Sequence, residues 1–120
     1  MIKINDKAPD FTLQSDSGDS FHLYDHAGEK ILLVFYPGDN TPVCTAQLCE
    51  YRDGIEEFSD LGVTVVGISS DDLESHREFR SKHDLPFVLL SDTDLSVAKL
   101  YDSKGVLGMK RSVFLAVSYT

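Results

Sequence analysis

Two cysteines, Cys44 and Cys49, are the residues of this chain whose type and spacing most directly suggest chemistry. They are its only cysteines, and they lie in the stretch YPGDNTPVCTAQLCE with four residues between them. Such a pair could form a structural disulfide, supply half of a metal site, or combine a reactive thiol with a second thiol that quenches it. The element that carries the two side chains decides between these possibilities.

Strands alternate with helices along the predicted chain, which indicates an α/β fold with a central sheet. Short apolar alternations at 10–14 and 20–24 flank a turn and predict an N-terminal hairpin. Apolar runs and helical spacing predict four further strands and three helices: strands at 31–36, 63–69, 87–92 and 112–117, and helices at 42–59, 69–84 and 93–101. The helix over 42–59 follows a buried strand directly, where sheets of this class carry their sites.

Cys44 is predicted to lie in the first turn of the helix over 42–59. At a helix N-terminus, unpaired backbone N–H groups and the positive end of the helix dipole favour a thiolate over a thiol. The thiolate is the nucleophilic form, so the position suits a reactive residue. On helix position alone, a buried and chemically inert cysteine remains the alternative.

Cys49 lies five residues further along the same predicted helix. In an ideal helix this spacing separates the two Cα atoms by roughly 8.7 Å. A disulfide needs Cα atoms within about 7 Å of each other, so these cysteines can bond only if the first turns of the helix unwind. A static structural disulfide is therefore disfavoured.

A metal site is a weaker interpretation still, and neither a metal nor a cofactor is predicted. Two cysteines do not fill a tetrahedral zinc shell, and the histidines have no ligand spacing to them. Each of the four histidines is expected at the surface or in a turn: His22, His26, His76 and His83.

The composition predicts one domain over residues 1–120 and excludes several classes of function. The net charge of −9 argues against nucleic acid as a partner, because affinity for phosphate comes from clustered Lys and Arg. No stretch approaches the roughly 18 apolar residues of a membrane span, and MIKINDKAPDF lacks the pattern of a signal peptide. The expected location is the cytoplasm.

The stretch PGDNTPVC, residues 37–44, resembles the Pro-x-x-x-Thr-x-x-Cys motif of the peroxiredoxins. The continuation CTAQLCEYRD is similar to the Q-type branch, also called bacterioferritin comigratory proteins, in which a second cysteine follows five positions on. KAPDFTL, VVGISSD, FVLLSD and RSVFL occur in the family's order, so the resemblance covers nearly the whole chain. It implies a thioredoxin-like fold, with a central mixed sheet flanked by helices, and thiol-dependent reduction of hydrogen peroxide and organic hydroperoxides.

The resemblance also implies a catalytic cycle for the two cysteines. Cys44, as the peroxidatic cysteine, is oxidised to sulfenic acid, the helix start unwinds, and Cys49 resolves the sulfenic acid to a disulfide. A thioredoxin-like dithiol then restores both thiols. Two alternatives remain open: a non-catalytic redox sensor on the same fold, and a thiol–disulfide reductase that is indifferent to peroxide.

Four further residues receive roles by the same resemblance. Thr41 is expected to hydrogen-bond the thiolate and the peroxide oxygen, and Pro37 is expected to shield the sulfur from water. Arg111 is expected to stabilise the thiolate and the charge that develops during peroxide cleavage. Gln47 stands where many relatives carry a Gln or Glu that faces the arginine.

The sequence departs from the family pattern after RSVFL. Relatives continue with a further strand and a C-terminal helix, which this sequence is expected to lack because it ends in FLAVSYT. A missing strand would leave an unpaired sheet edge, and a missing helix would uncover apolar surface. A monomer or weak homodimer with a tendency to self-associate is therefore expected.

Overall fold

The computed structural model describes residues 9–26, 29–105, 108–109 and 111–117. Eight strands are present in these segments: β1 Thr12–Ser15, β2 Ser20–His22, β3 Lys30–Phe35, β4 Val63–Ser69, β5 Leu89–Ser91, β6 Lys104–Gly105, β7 Gly108–Met109 and β8 Ser112–Val117. The helices are α1 Pro42–Asp53, α2 Ile55–Asp60, α3 Leu73–His83 and α4 Ser96–Leu100, with a 3₁₀ turn at Leu23–His26. None of the helices in these segments is long and apolar enough to cross a membrane.

Six strands form one mixed sheet in the order β2-β1-β5-β4-β3-β8. The central strands β3, β4 and β5 run parallel, whereas β1 and β8 pair antiparallel with their neighbours. The sheet and the β1–β2 hairpin confirm the predicted architecture. A separate two-stranded ladder of β6 and β7 was not predicted, because two-residue strands leave no periodic signal in the sequence.

Strand β3 is buried on both faces, as its continuous apolar run predicts. Leu33 and Phe35 belong to one apolar cluster, and Val34 and Tyr36 belong to a second cluster on the other face of the sheet. The second cluster includes Cys44, so the helix that follows β3 packs the side chain of Cys44 against the sheet.

The single helix predicted over 42–59 is wrong, because Gly54 interrupts it between α1 and α2. Glycine weakens a helix by about 1 kcal/mol relative to alanine, and its backbone here leaves the helical region with φ −97° and ψ 12°. The predicted apolar stripe nevertheless survives the break. All four of its residues pack in the cluster that contains Cys44: Leu48, Tyr51, Ile55 and Phe58.

The N-terminal hairpin contains a histidine–carboxylate pair that should make stability depend on pH. His22 Nε2 lies 2.6 Å from Asp10 Oδ2, and this hydrogen bond is the main cause that raises the pKa of His22 above its usual value. Burial opposes ionisation of Asp10, but the hydrogen bond from His22 and backbone donors leave the pKa of Asp10 below its usual value.

We expect the stabilisation from this pair to be lost at both ends of the pH range. The contribution of His22 is fully present below its unfolded pKa and is lost as pH rises through the raised folded pKa, whereas that of Asp10 is lost as pH falls through its lowered folded pKa. The urea midpoint should therefore fall between about pH 6 and about pH 9 in the wild type and fall less in His22→Asn. Equal slopes in the two proteins would contradict the assignment.

Candidate active site

The loop between β3 and α1 positions the first turn of α1. Asn40 adopts a left-handed conformation with φ 63°, which asparagine tolerates better than most residues and which turns the chain sharply into the helix. Thr41 is the N-cap, because its Oγ1 accepts a hydrogen bond from Cys44 N at 3.3 Å and donates one to Gly38 O at 3.3 Å. Pro42 occupies the first helical position, where no N–H is required.

Cys44 is fully buried and faces a cation. The Nη2 group of Arg111 donates a hydrogen bond to Cys44 Sγ over 3.2 Å, although the two residues lie 67 positions apart. The register of the sheet explains the contact: Ser112 of β8 pairs with Phe35 of β3, so Arg111 lies at the sheet edge where β3 leads into α1. The sulfur therefore lies between a guanidinium group and the N-terminus of α1.

The other predicted site residues differ in their exposure to solvent. Thr41 and Pro37 are exposed, and Pro37 directly follows Tyr36 at the start of the loop. Gln47 follows Cys44 by nearly one turn of α1, and its Oε1 is buried without a donor among the described residues. The structure therefore brings Thr41 and Arg111 to Cys44, whereas shielding by Pro37 and the role of Gln47 stay predictions.

Cys49 lies in the same helix as a partly buried free thiol, and Cys44 is also a free thiol. Three residues beyond Cys49, Arg52 Nη1 donates to His83 O over 2.7 Å and so attaches the far end of α1 to the end of α3. A hydrogen bond to Asp53 raises the pKa of Arg52. The C-terminal half of α1 thus has a tertiary anchor that is independent of its first turn.

A polar cluster that the sequence did not predict lies beneath the loop between β3 and α1, residues 36–41, here called the active-site loop. Asp39 Oδ1 accepts from Tyr36 Oη at 2.6 Å, and Asp39 Oδ2 accepts from Ser75 Oγ at 2.8 Å and lies 2.8 Å from His76 Nδ1. Burial opposes ionisation of Asp39, but the hydrogen bonds from His76 and Tyr36 leave its pKa below the usual value. Burial and the charge of Asp39 raise the pKa of Tyr36 well above its usual value, so its hydroxyl stays protonated as a donor.

The prediction that every histidine lies at the surface or in a turn is wrong for His76, whose side chain is fully buried in α3. Its Nε2 lies 3.0 Å from Leu90 O, so both ring nitrogens face acceptors. A histidine on a helix with polar neighbours in sequence gives no signal that the fold buries it. The partner that accounts for the burial of His76 is Asp39, a carboxylate between the buried strand β3 and Cys44, and its position in the sequence does not indicate this contact.

Asp39, Asp71 and His76 are also the one set of potential metal ligands that the described residues bring within 4.8 Å of one another. Their ligand atoms already have partners. Both ring nitrogens of His76 face acceptors, and Asp71 Oδ2 accepts from Asp39 N at 2.6 Å and from Ser69 Oγ at 2.9 Å. A metal ion would have to displace these hydrogen bonds, so the cluster is better suited to a structural role than to metal binding.

Comparison with known proteins places the chain among thiol peroxidases. Residues 4–118 match the model of the AhpC/TSA family. Peroxiredoxin Bcp of Bacillus subtilis is 41% identical over 122 residues, covering 95% of this chain and 78% of the relative. The chloroplastic peroxiredoxin Q of Arabidopsis thaliana is 46% identical over 100 residues, which span 83% of this chain and 46% of the plant protein.

The solved structures show the same fold. A structure of Xanthomonas campestris peroxiredoxin Q superposes with a TM-score of 0.85 at 33% identity, covering 88% of this chain and 72% of that one. This likeness confirms the predicted thioredoxin-like α/β fold, with its mixed sheet flanked by helices.

Proposed function

This chain belongs to the AhpC/TSA family, and we propose that Cys44 is the nucleophile with which it reduces hydroperoxides. Membership confirms the resemblance drawn from PGDNTPVC and CTAQLCEYRD, and the relatives make the protein a thiol-dependent peroxidase of the Bcp and peroxiredoxin Q type. The observation that carries the assignment of Cys44 is the 3.2 Å hydrogen bond from Arg111 to its sulfur at the N-terminus of a helix.

In the first step, the thiolate of Cys44 attacks one oxygen of the hydroperoxide. The S–O bond forms while the O–O bond breaks, the sulfur is oxidised to sulfenic acid, and the second oxygen leaves as water or an alcohol after it takes up a proton. Negative charge moves from sulfur to the leaving oxygen, so donors already oriented around both atoms lower the barrier. Arg111 and the hydroxyl of Thr41 are the donors that we assign to this task.

In the second step, Cys49 attacks the sulfenic sulfur of Cys44. The S–S bond forms, the S–OH bond breaks, and water leaves. In an intact helix the Cα atoms of these residues stay roughly 8.7 Å apart, beyond the reach of a disulfide. The first turns of α1 must therefore unwind, while the hydrogen bond from Arg52 to His83 O retains the far end of the helix.

The product disulfide requires an external dithiol, and we assign this role to a thioredoxin-like protein. Two thiols of the reductant become a disulfide as Cys44 and Cys49 regain their thiol forms, which balances the cycle. We place the protein in the cytoplasm, as a monomer or weak homodimer with no nucleic-acid or membrane partner. The exposed Val113 and Leu115 support weak self-association, because both are apolar side chains on one face of β8, which lies at the edge of the sheet formed by the described residues.

A peroxide-consumption assay with a thioredoxin system tests the proposal. We expect repeated turnover of hydrogen peroxide, and mass spectrometry of the oxidised protein should show one linkage, between Cys44 and Cys49. Oxidation of the thiols without repeated consumption would instead support a redox sensor on this fold. Reduction of protein disulfides without any reaction with peroxide would support a thiol–disulfide reductase.

Replacement of Cys49 should separate oxidation from recycling. In Cys49→Ser, we expect the first oxidation of Cys44 to proceed at close to the wild-type rate, because Cys49 lies outside the first turn of α1. Steady-state turnover with the dithiol reductant should fall at least about tenfold, because the sulfenic acid has no partner within the chain. A single-turnover measurement beside the steady-state assay checks both expectations, and unchanged steady-state turnover would contradict the role of Cys49.

A further inference from the structure

Asp39 connects the active-site loop to parts of the fold that are distant in sequence. Its backbone N–H donates to Asp71 Oδ2 at 2.6 Å, and its Oδ2 accepts from Ser75 Oγ and faces His76 Nδ1, each at 2.8 Å. These partners lie 32, 36 and 37 residues further along the chain. The hydrogen bonds of Thr41, by contrast, stay within its own turn, so Asp39 is the nearest tertiary anchor before Cys44 among the residues that the structure describes.

His76 lies between two acceptors. Its Nδ1 faces the Asp39 carboxylate and its Nε2 faces Leu90 O. The side chains of His76 and Asp39 are almost fully shielded from solvent. Among the described residues, the other titratable groups that face the pair are Tyr36, which directly follows β3, and Asp71 of the loop between β4 and α3.

We propose that the Asp39–His76 pair is the positioning element that holds Cys44 beside Arg111 and sets the balance between the folded and unwound forms of α1. The inference rests on the proposed function and assigns a role to residues that do not touch the reacting atoms. Four residues separate Asp39 from Cys44, whereas Arg111, which directly precedes β8, reaches the sulfur from a part of the chain that is remote in sequence. Loss of the hydrogen bonds to Asp39 would therefore loosen the Cys44 side of the contact between Arg111 and Cys44, but not the Arg111 side.

The balance has two opposite consequences for catalysis. The folded form presents Cys44 to peroxide, whereas only the unwound form lets Cys49 reach the sulfenic acid. A sulfenic acid that waits in the folded form can meet a second peroxide molecule and become sulfinic acid, which is not recovered by thiols. Weakening the Asp39–His76 pair should therefore slow the first oxidation and at the same time protect Cys44 against the second.

Asp39→Asn tests the proposal because an amide keeps the size of the side chain but loses the charge and one acceptor. A hydrogen bond to a charged group shifts an equilibrium by roughly tenfold or more. We expect single-turnover oxidation of Cys44 to slow by about tenfold, and the ratio of sulfinic acid to disulfide at high peroxide to fall by a similar factor. Rapid-mixing kinetics and mass spectrometry of the trapped products provide the two readouts.

Asp16→Asn is the matched control. Asp16 is a buried carboxylate that ties another loop to the opposite end of α3 through Arg80, at 3.2 Å, and to Leu89 N, at 3.0 Å. This variant should lose stability but keep the wild-type oxidation rate and product ratio. If the two variants shift both readouts equally, or if Asp39→Asn shifts neither, the positioning role is overturned.

Ser75→Ala tests the same proposal if Asp39→Asn does not fold, because it removes one hydrogen bond to Asp39 Oδ2 and leaves the contact between Asp39 and His76 in place. We expect smaller shifts, about two- to fivefold, in the same two directions. Wild-type values of both readouts in Ser75→Ala would overturn the inference. Failure of the proposed function would look different from failure of this inference, because the wild-type protein itself would then show no oxidation at Cys44.

Discussion

Cys44→Ser should abolish hydroperoxide turnover, with a loss of at least about a thousandfold in the rate of peroxide consumption. A serine hydroxyl stays protonated at neutral pH, and it is a much weaker nucleophile than a thiolate. The donors around the sulfur would remain in place, yet they would have no nucleophile to assist. Peroxide consumption with excess thioredoxin and its reductase measures the loss directly.

The same variant should keep its fold, because serine is nearly the size of cysteine. The position is fully buried within an apolar cluster, so a modest loss of stability is expected as the hydroxyl enters it. Circular dichroism and a urea titration would confirm that the protein is folded. A folded Cys44→Ser protein that consumes peroxide at the wild-type rate would exclude Cys44 as the nucleophile and, with it, the proposed cycle.

The two variants of the cysteines together also distinguish the competing classes of function. A peroxidase loses its first oxidation in Cys44→Ser and its recycling in Cys49→Ser. A redox sensor would lose oxidation in the first variant but would show no repeated turnover even in the wild type. A thiol–disulfide reductase would not react with peroxide at any concentration, in the wild type or in either variant.

Much of the fold could be predicted because its signals are local. The strands over 63–69 and 112–117 match β4 and β8 residue for residue, since each is a continuous apolar run bounded by polar or turn-forming residues. The helix N-terminus at Pro42 could be placed as well, from a threonine cap and a proline at the first helical position. Gly54 shows the limit: one glycine in an otherwise periodic stripe does not reveal whether the helix continues.

The site could be predicted only in part, because half of it is assembled by contacts that are remote in sequence. The motif around Cys44 is contiguous, so it could be read directly, and Arg111 could be named only through the family resemblance. The contact between Asp39 and His76 is neither part of a contiguous motif nor implied by the family resemblance. It depends on how the start of α3 packs beneath the β3–α1 loop, and no spacing along the chain encodes a contact across 37 residues.

Arg111→Met should cause the second-largest loss of activity, about a hundredfold in the rate constant for oxidation of Cys44 by hydrogen peroxide. Methionine approximates the length of the arginine stem but offers neither charge nor donors, so it removes the hydrogen bond that reaches the sulfur over 3.2 Å. The loss should lie in the reaction with peroxide rather than in recycling, since disulfide formation follows unwinding of the helix. Rapid-mixing measurement of the first oxidation isolates that step from turnover.

Arg111→Lys separates charge from geometry at the same position. Lysine restores a cation but presents a single ammonium group instead of a planar fork, so we expect a loss of about tenfold, intermediate between the wild type and Arg111→Met. Arg77→Met is the matched control, because Arg77 lies on α3 and donates to Asp16 O, 3.0 Å away, rather than to the sulfur. If Arg111→Met oxidised as fast as the control, the guanidinium would serve only to pack the start of β8, and stabilisation of the reacting charge would have to come from the N-terminus of α1 and Thr41 alone.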